Sequence, residues 1–290
     1  MNTRYVLLIH AGCEDIIPER FTSDQEDEIL STLRQSLERG RSILEGDGRA
    51  VDAVQVAAMI LEDSPLFNAG RGSVFTHDGK NEMDASIMDG QNLQAGAVAG
   101  TSGIRNPVAA ARLVMDRSEH VLLIGDGAES FAREQGLEPV DSKYFYTHSR
   151  WEEYVGGGEQ KAKGERPSHG SDKYGTVGAV CLDRHGSLAA ASSTGGITDK
   201  KHGRVGDSPI VGAGVYANNA TCAVTCTGQG EFFIRTVAAH SVSSLVELRR
   251  QSLEQAIGEV LHRIQKLGGM GGMIGVDRNG HAAIEFVTQG

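Results

Sequence analysis

The chain has 290 residues, 39% of them hydrophobic, which is enough apolar material for one sizeable core. Lys and Arg number 28 against 38 Asp and Glu, and the net charge of -10 with no basic cluster argues against nucleic-acid partners. No apolar run approaches the roughly 20 residues that span a bilayer, and Val6-Leu7-Leu8-Ile9 is too short for a signal peptide, so a cytoplasmic protein off the membrane is expected.

Tyr5 to His10 reads as a buried strand. Thr22-Ser23-Asp24 then offers caps for a helix carrying Ile29, Leu30, Leu33, Leu37 and Leu44 at helical spacing. A second helix is expected from about Asp47 to Asp63, ended by Pro65. From Ser73 to Ala99, short runs broken by Asp78-Gly79 and Asp89-Gly90 predict antiparallel hairpins. Asn106-Pro107 looks like a cap with proline at the first helical position, opening a helix to Arg117, and another spans Asp126 to Glu134. Residues 138–175 are polar and Gly-rich without a sustained period, and predict a flexible linker.

Beyond it, Thr176 to Leu182 and Ser187 to Ser193 read as two strands, and Thr221 to Cys226 as another. Helices follow at Glu231 to Leu248 and Ser252 to Lys266, then a hairpin about Asn279-Gly280. Helices and strands fall in blocks, which predicts an α+β fold with an antiparallel sheet core covered by helices, in one domain. Cys13, Cys181, Cys222 and Cys226 lack metal-ligand spacing and are expected to be buried thiols.

Gly175-Thr176-Val177-Gly178 sets a hydroxyl at the head of a strand directly after the polar segment. A packed strand threonine is the ordinary explanation. Its company changes that: Ser193-Thr194-Gly195-Gly196, Gly203-Arg204-Val205-Gly206-Asp207-Ser208-Pro209 and Thr225-Cys226-Thr227-Gly228-Gln229-Gly230-Glu231. With Asn68-Ala69-Gly70-Arg71-Gly72-Ser73 and Met83-Asp84-Ala85-Ser86-Ile87-Met88-Asp89-Gly90 upstream, these segments resemble the plant-type asparaginase and isoaspartyl peptidase family of N-terminal nucleophile (Ntn) hydrolases, over nearly the whole chain.

The resemblance implies a four-layer αββα sandwich with antiparallel sheets. It also implies self-cleavage between Gly175 and Thr176, giving an α subunit of residues 1–175 and a β subunit of residues 176–290. Thr176 would then be the nucleophile, with its freed α-amino group, of reference pKa about 8, as general base. Thr194 tunes the nucleophile's hydrogen bonding, and Thr227 with Gly228 stabilises the oxyanion. Arg204 grips an α-carboxylate and Asp207 an α-ammonium, in a pocket shared with Val205, Gly206, Gly230 and Asn68. Gln229 falls at a position the family varies, so only its backbone is expected to touch substrate. The implied activity is hydrolysis of L-asparagine and β-aspartyl dipeptides, by a homodimer of αβ units, with no cofactor beyond a sodium ion on backbone carbonyls of residues 61–69. A glycosylasparaginase is the neighbouring alternative.

One stretch departs from the pattern. The family's His-Gly-Gly-type turn is here His10-Ala11-Gly12-Cys13-Glu14, and lost glycine there could slow or block cleavage, leaving a dormant relative with a binding role. His10 reads as an orienting or core residue, since the threonine amine already fills the base's place.

Overall fold

The computed structural model of the protein describes residues 5–13, 22–162 and 175–288. Within them the strands are β1 (Val6–His10), β2 (Met83–Asp89), β3 (Ala95–Thr101), β4 (Leu122–Ile124), β5 (Val177–Leu182), β6 (Leu188–Thr194), β7 (Val215–Ala217), β8 (Cys222–Gly228), β9 (Gly271–Asp277) and β10 (Ala282–Phe286). The helices are α1 (Ser23–Glu45), α2 (Ala50–Asp63), α3 (Pro107–Arg117), α4 (Gly125–Glu134), α5 (His148–Ala162), α6 (Gly230–Thr236), α7 (Ala238–Arg249) and α8 (Leu253–Lys266).

Two sheets form, one in the order β1-β5-β6-β2-β3-β4 and one in the order β10-β9-β8-β7. All pairs are antiparallel except β3 with β4. Strand alternation builds the layers, because successive side chains point to opposite faces. On β5 and β6, Ala179, Cys181, Ala189 and Ala191 pack with α2, α3 and α4. Their neighbours Val180, Leu182, Leu188 and Ala190 meet Ala223, Ile274 and Val276 of the other sheet. The far face of that second sheet, with Cys222, Val224 and Cys226, packs on α6, α7 and α8. The result is the expected α+β sandwich of four layers, αββα.

Local chemistry explains most element starts. Thr22 and Gln25 form a reciprocal capping box on α1, and Ser252 and Gln255 do the same on α8. Pro107 opens α3, where its missing N–H costs nothing, and the Glu62 carboxyl of α2 accepts the next N–H, of Val108, at 2.9 Å.

The structure departs from the sequence reading in several places, and β1, read as a buried strand, is only half-buried over Val6–Ile9 because it lies at the sheet edge. Residues 142–145 form a 3-10 turn and 148–162 the helix α5, inside the span read as a flexible linker. Aromatic anchoring overrides the glycines there: Trp151 and Tyr154 sit 5.4 and 5.8 Å from Phe75 by ring centroids. The buried Arg150 adds an Nε–H donated to the Gly72 carbonyl at 2.9 Å. Residues 163–174 of that span lie outside the described ones. The helix expected from Glu231 to Leu248 is broken at Val237, which adopts a left-handed conformation with φ 49. The break frees the N–H groups of Ala239 and His240 for the Ala213 and Gly212 carbonyls, at 3.1 and 2.9 Å. The short strands β4 and β7 carry too few residues for a period and were not anticipated.

Candidate active site

Register places the nucleophile candidate. Val177 pairs with Ser193, so Thr176, one residue before β5, falls opposite Thr194 at the end of β6. The Thr176 hydroxyl donates to Thr194 Oγ1 at 3.2 Å, and the Gly196 N–H donates to the same oxygen at 3.0 Å. Asn68 holds this turn: its Nδ2 donates to the Gly196 carbonyl at 2.7 Å and its backbone carbonyl accepts the Gly195 N–H at 3.0 Å. Only glycine fits at 195, because a Cβ there would lie 2.5 Å from Asn68 Oδ1.

The altered turn after β1 touches both sheets at this end. His10 pairs with Gly178 in the ladder and faces Thr225 Oγ1 across the inter-sheet gap at 3.4 Å. Burial pushes its imidazole down to about 4, against a hydrogen bond with the Thr176 backbone that pulls it up, so the ring is neutral. Gly12 N–H approaches His10 Nδ1 at 3.4 Å, which leaves the proton on Nε2. Gly12 itself, at φ +115, lies against Gly175. Cys13 is buried, and its thiol donates to the Thr227 carbonyl at 3.2 Å. Within the altered turn, the position that contacts Gly175 is still glycine.

Thr227 and Gly228 close β8. Gln229 N–H bonds the Met270 carbonyl, and Arg278 N–H the Thr221 carbonyl, so odd-numbered residues of β8 bond β9. Even-numbered ones turn the other way, where Cys226 N–H bonds the Gly214 carbonyl. β7 begins at Val215, and on that side no described strand lies opposite Gly228, so its N–H points past the sheet edge. Gln229 caps α6 and clasps Met270 through its own side chain, Oε1 accepting the Met270 N–H at 3.1 Å.

The charged pair sits on the loop between β6 and β7. A Cβ on Gly230 would lie 2.8 Å from Asp207 Oδ1, and one on Gly196 3.5 Å from Arg204 Nη1, so both charges border the threonine cluster. Asp207 is 4% exposed and its Oδ2 has no hydrogen-bond partner. Burial pushes its carboxyl up to about 7, only partly offset by its own backbone N–H and by Arg204. Arg204 is not empty-handed: Nε and Nη2 donate to the two carboxylate oxygens of Glu231 at 2.8 and 3.1 Å. Val205 is half-buried between Arg204 and the buried Gly206.

Sequence reasoning missed Glu231 as the occupant of the Arg204 fork, and it missed Lys200. The Lys200 side chain is 4% exposed, packs over Gly196 and donates from Nζ to the Glu82 carbonyl at 2.8 Å. Neither had a signal beyond being a charge near a glycine-rich turn. Asp84 lay inside a quoted segment, and an acid amid an apolar strand was the available clue.

A threonine hydroxyl at the head of an inner strand of an αββα sandwich, after glycine and beside a second threonine, is the arrangement of the N-terminal nucleophile hydrolases. Residues 3–290 match the family described as Asparaginase, and the chain belongs to that family. It is 48% identical to the isoaspartyl peptidase of Salmonella typhimurium, covering 98% of this chain and 93% of that one. The isoaspartyl peptidase of Escherichia coli is 47% identical, over 98% of this chain and 90% of its own. The isoaspartyl peptidase/L-asparaginase of Mus musculus is 41% identical, over 97% of this chain and 84% of its own.

Proposed function

We propose that the protein is a self-cleaving threonine amidohydrolase acting on L-asparagine and β-aspartyl dipeptides. The observation that carries this is the Thr176 hydroxyl, directly after Gly175 and 3.2 Å from Thr194 Oγ1. The relatives named for isoaspartyl peptidase and asparaginase activity support the substrate class.

In maturation, Thr176 Oγ1 adds to the Gly175 carbonyl, the acyl group shifts from nitrogen to oxygen and so frees the Thr176 amine, and water then cleaves the ester to release the Gly175 carboxylate and the Thr176 hydroxyl. In turnover, that amine takes the hydroxyl proton while the oxygen attacks the side-chain carbonyl of the aspartyl group. The Thr227 hydroxyl and the Gly228 N–H meet the oxyanion, donors typically worth about 3 kcal/mol of barrier each. The leaving amine departs with the proton, and water then hydrolyses the acyl-enzyme. Arg204 binds the α-carboxylate once Glu231 yields the fork, and the buried Asp207 Oδ2 receives the α-ammonium.

Sodium on the loop after α2 remains part of the proposal. A Cβ on Gly72 would lie 2.0 Å from the Phe67 carbonyl oxygen and 2.8 Å from that of Pro65, so the loop crowds its own oxygens inward, a hard-donor set that suits the ion. Two αβ units per assembly follow the same reading. No helix among the described residues is long and apolar enough to cross a membrane. The four cysteines are buried thiols outside any disulfide, which supports a reducing, cytoplasmic setting.

Intact mass spectrometry after prolonged incubation tests the proposal together with turnover of asparagine and a β-aspartyl dipeptide. Fragments split before Thr176 with turnover of either substrate are expected, and Thr176→Ala should lose both. Turnover retained in Thr176→Ala sinks the nucleophile assignment.

A further inference from the structure

The sheet that carries Thr176 sets three polar residues in one row. Thr176 lies opposite Thr194, and Thr194 is the ladder partner of Asp84 on β2. Directly opposed residues of antiparallel strands share a face, with Cβ atoms about 5 Å apart. That face is the inter-sheet one: Met88, four residues on, packs in the inter-sheet core, whereas Ala85 and Ile87 face the helices. Ser86 on the same side donates to the Ser208 carbonyl.

Asp84 is 0% exposed, and a carboxylate so buried is costly unless it is held. Its Oδ1 accepts the Gly100 N–H at 2.8 Å, at an irregularity in the pairing with β3 where Gly100 takes φ +63. Its Oδ2 has no hydrogen-bond partner. Burial pushes the carboxyl up, while the charges of Lys200 and Arg204 pull it back and Glu82 opposes them. Burial likewise pulls the Lys200 ammonium down, and Asp84 is the main charge restoring it.

Thr194 has the complementary need. Its oxygen accepts from Thr176 and from the Gly196 N–H, so both lone pairs are engaged and its own proton requires an acceptor. Its ladder partner Asp84 carries a buried oxygen, Oδ2, with no hydrogen-bond partner. We propose that Asp84, near the Lys200 charge, accepts the Thr194 O–H in a hydrogen bond, through one bridging water or a turn of the carboxylate, and so positions Thr194. This rests on Thr176 as the nucleophile. Without Asp84, Thr194 turns its O–H onto Thr176 Oγ1 and ties up the lone pair that attacks. No proton changes owner at Asp84, which acts through orientation alone.

The test is a double-mutant cycle of Asp84→Asn with Thr194→Val, measured as turnover on cleaved protein and, for variants that mature slowly, also as the half-time of self-cleavage. Asp84→Asn should lower kcat about tenfold with KM within twofold of wild type, and should add nothing in the Thr194→Val background. Should Asp84→Asn strand the Lys200 charge and fail to fold, Asp84→Asn/Lys200→Met removes both charges and is expected to show the same kcat loss. Wild-type kcat in that pair, or an Asp84→Asn loss of equal factor with and without Thr194, overturns the proposal. Turnover in Thr176→Ala would instead overturn the nucleophile reading beneath it.

Discussion

A Cβ on Gly12 would lie 2.5 Å from the backbone nitrogen of Gly175, on the residue whose carbonyl begins the bond to Thr176. Gly12 also holds φ +115, a conformation that side chains rarely adopt. Gly12→Ala therefore has two reasons to displace the Gly175–Thr176 peptide. Self-cleavage followed by mass spectrometry should slow at least tenfold in Gly12→Ala, while Ala11→Gly stays within about threefold of wild type. Equal rates in all three proteins would show that the turn does not position the bond.

Glu231 occupies the fork that the proposed substrate needs. Its two hydrogen bonds from Arg204 hold its carboxyl below the usual range, so it is an ionised competitor at neutral pH. Glu231→Gln should lower KM for asparagine about two- to fivefold with little change in kcat, since a bidentate carboxylate partner is replaced by a neutral one. Arg204→Lys should raise KM by tenfold or more, because a point charge does not replace the fork. Steady-state kinetics reads both, and an unchanged KM in Glu231→Gln would mean that the pair opens at no cost.

Much of this site was legible because it is written in short, contiguous segments. Thr194-Gly195-Gly196 and Thr227-Gly228-Gln229-Gly230 each hold a hydroxyl and the glycines that let backbone approach it. The helix α1 was legible from its cap and apolar spacing, α2 from apolar spacing ended by Pro65, and α3 from Asn106-Pro107, although Asn106 makes no side-chain capping bond and donates to Asp63 instead. What escaped the sequence depends on distant contacts. The helix α5 is anchored by rings around Phe75, some 75 residues away, and the break at Val237 serves the Gly212 and Ala213 carbonyls. The Asp84 row is a property of register, since neither Asp84 nor Thr194 says which strand it will pair with.

The carboxyl of Asp207, raised to about 7 by burial, predicts a pH dependence of substrate capture. Below pH 7 the free enzyme holds Asp207 neutral, and a neutral acid is a poor partner for an α-ammonium. The ratio kcat/KM should fall as pH drops through about 7, while kcat at saturation lacks that limb because bound ammonium keeps Asp207 ionised. A substrate lacking the α-ammonium should lose the limb from kcat/KM as well, leaving only the titration of the Thr176 amine. His10, already neutral above about 4, should contribute nothing in this range. A limb near 7 that persists with the ammonium-free substrate would assign it to another group.

Glu62 predicts the pH dependence of stability. It is 0% exposed, Oε1 accepts the Val108 N–H, and burial pushes its carboxyl up to about 8, against hydrogen bonds from Ser193, Val108 and Asn106 that pull it down. Below the unfolded value of 4.5 the residue is protonated in both states and adds no pH dependence. As pH rises past 4.5 the unfolded chain ionises first, which favours unfolding, and the loss grows until the folded state also ionises near 8. Denaturant melts should show wild-type stability declining across that window, with Glu62 accounting for roughly 3–5 kcal/mol at its upper end. Glu62→Gln keeps an oxygen for Val108 and cannot ionise, so its stability should be flatter with pH and exceed wild type near pH 8. A parallel decline in both proteins would show that the Glu62 carboxyl is solvated as it ionises and that the dependence arises elsewhere.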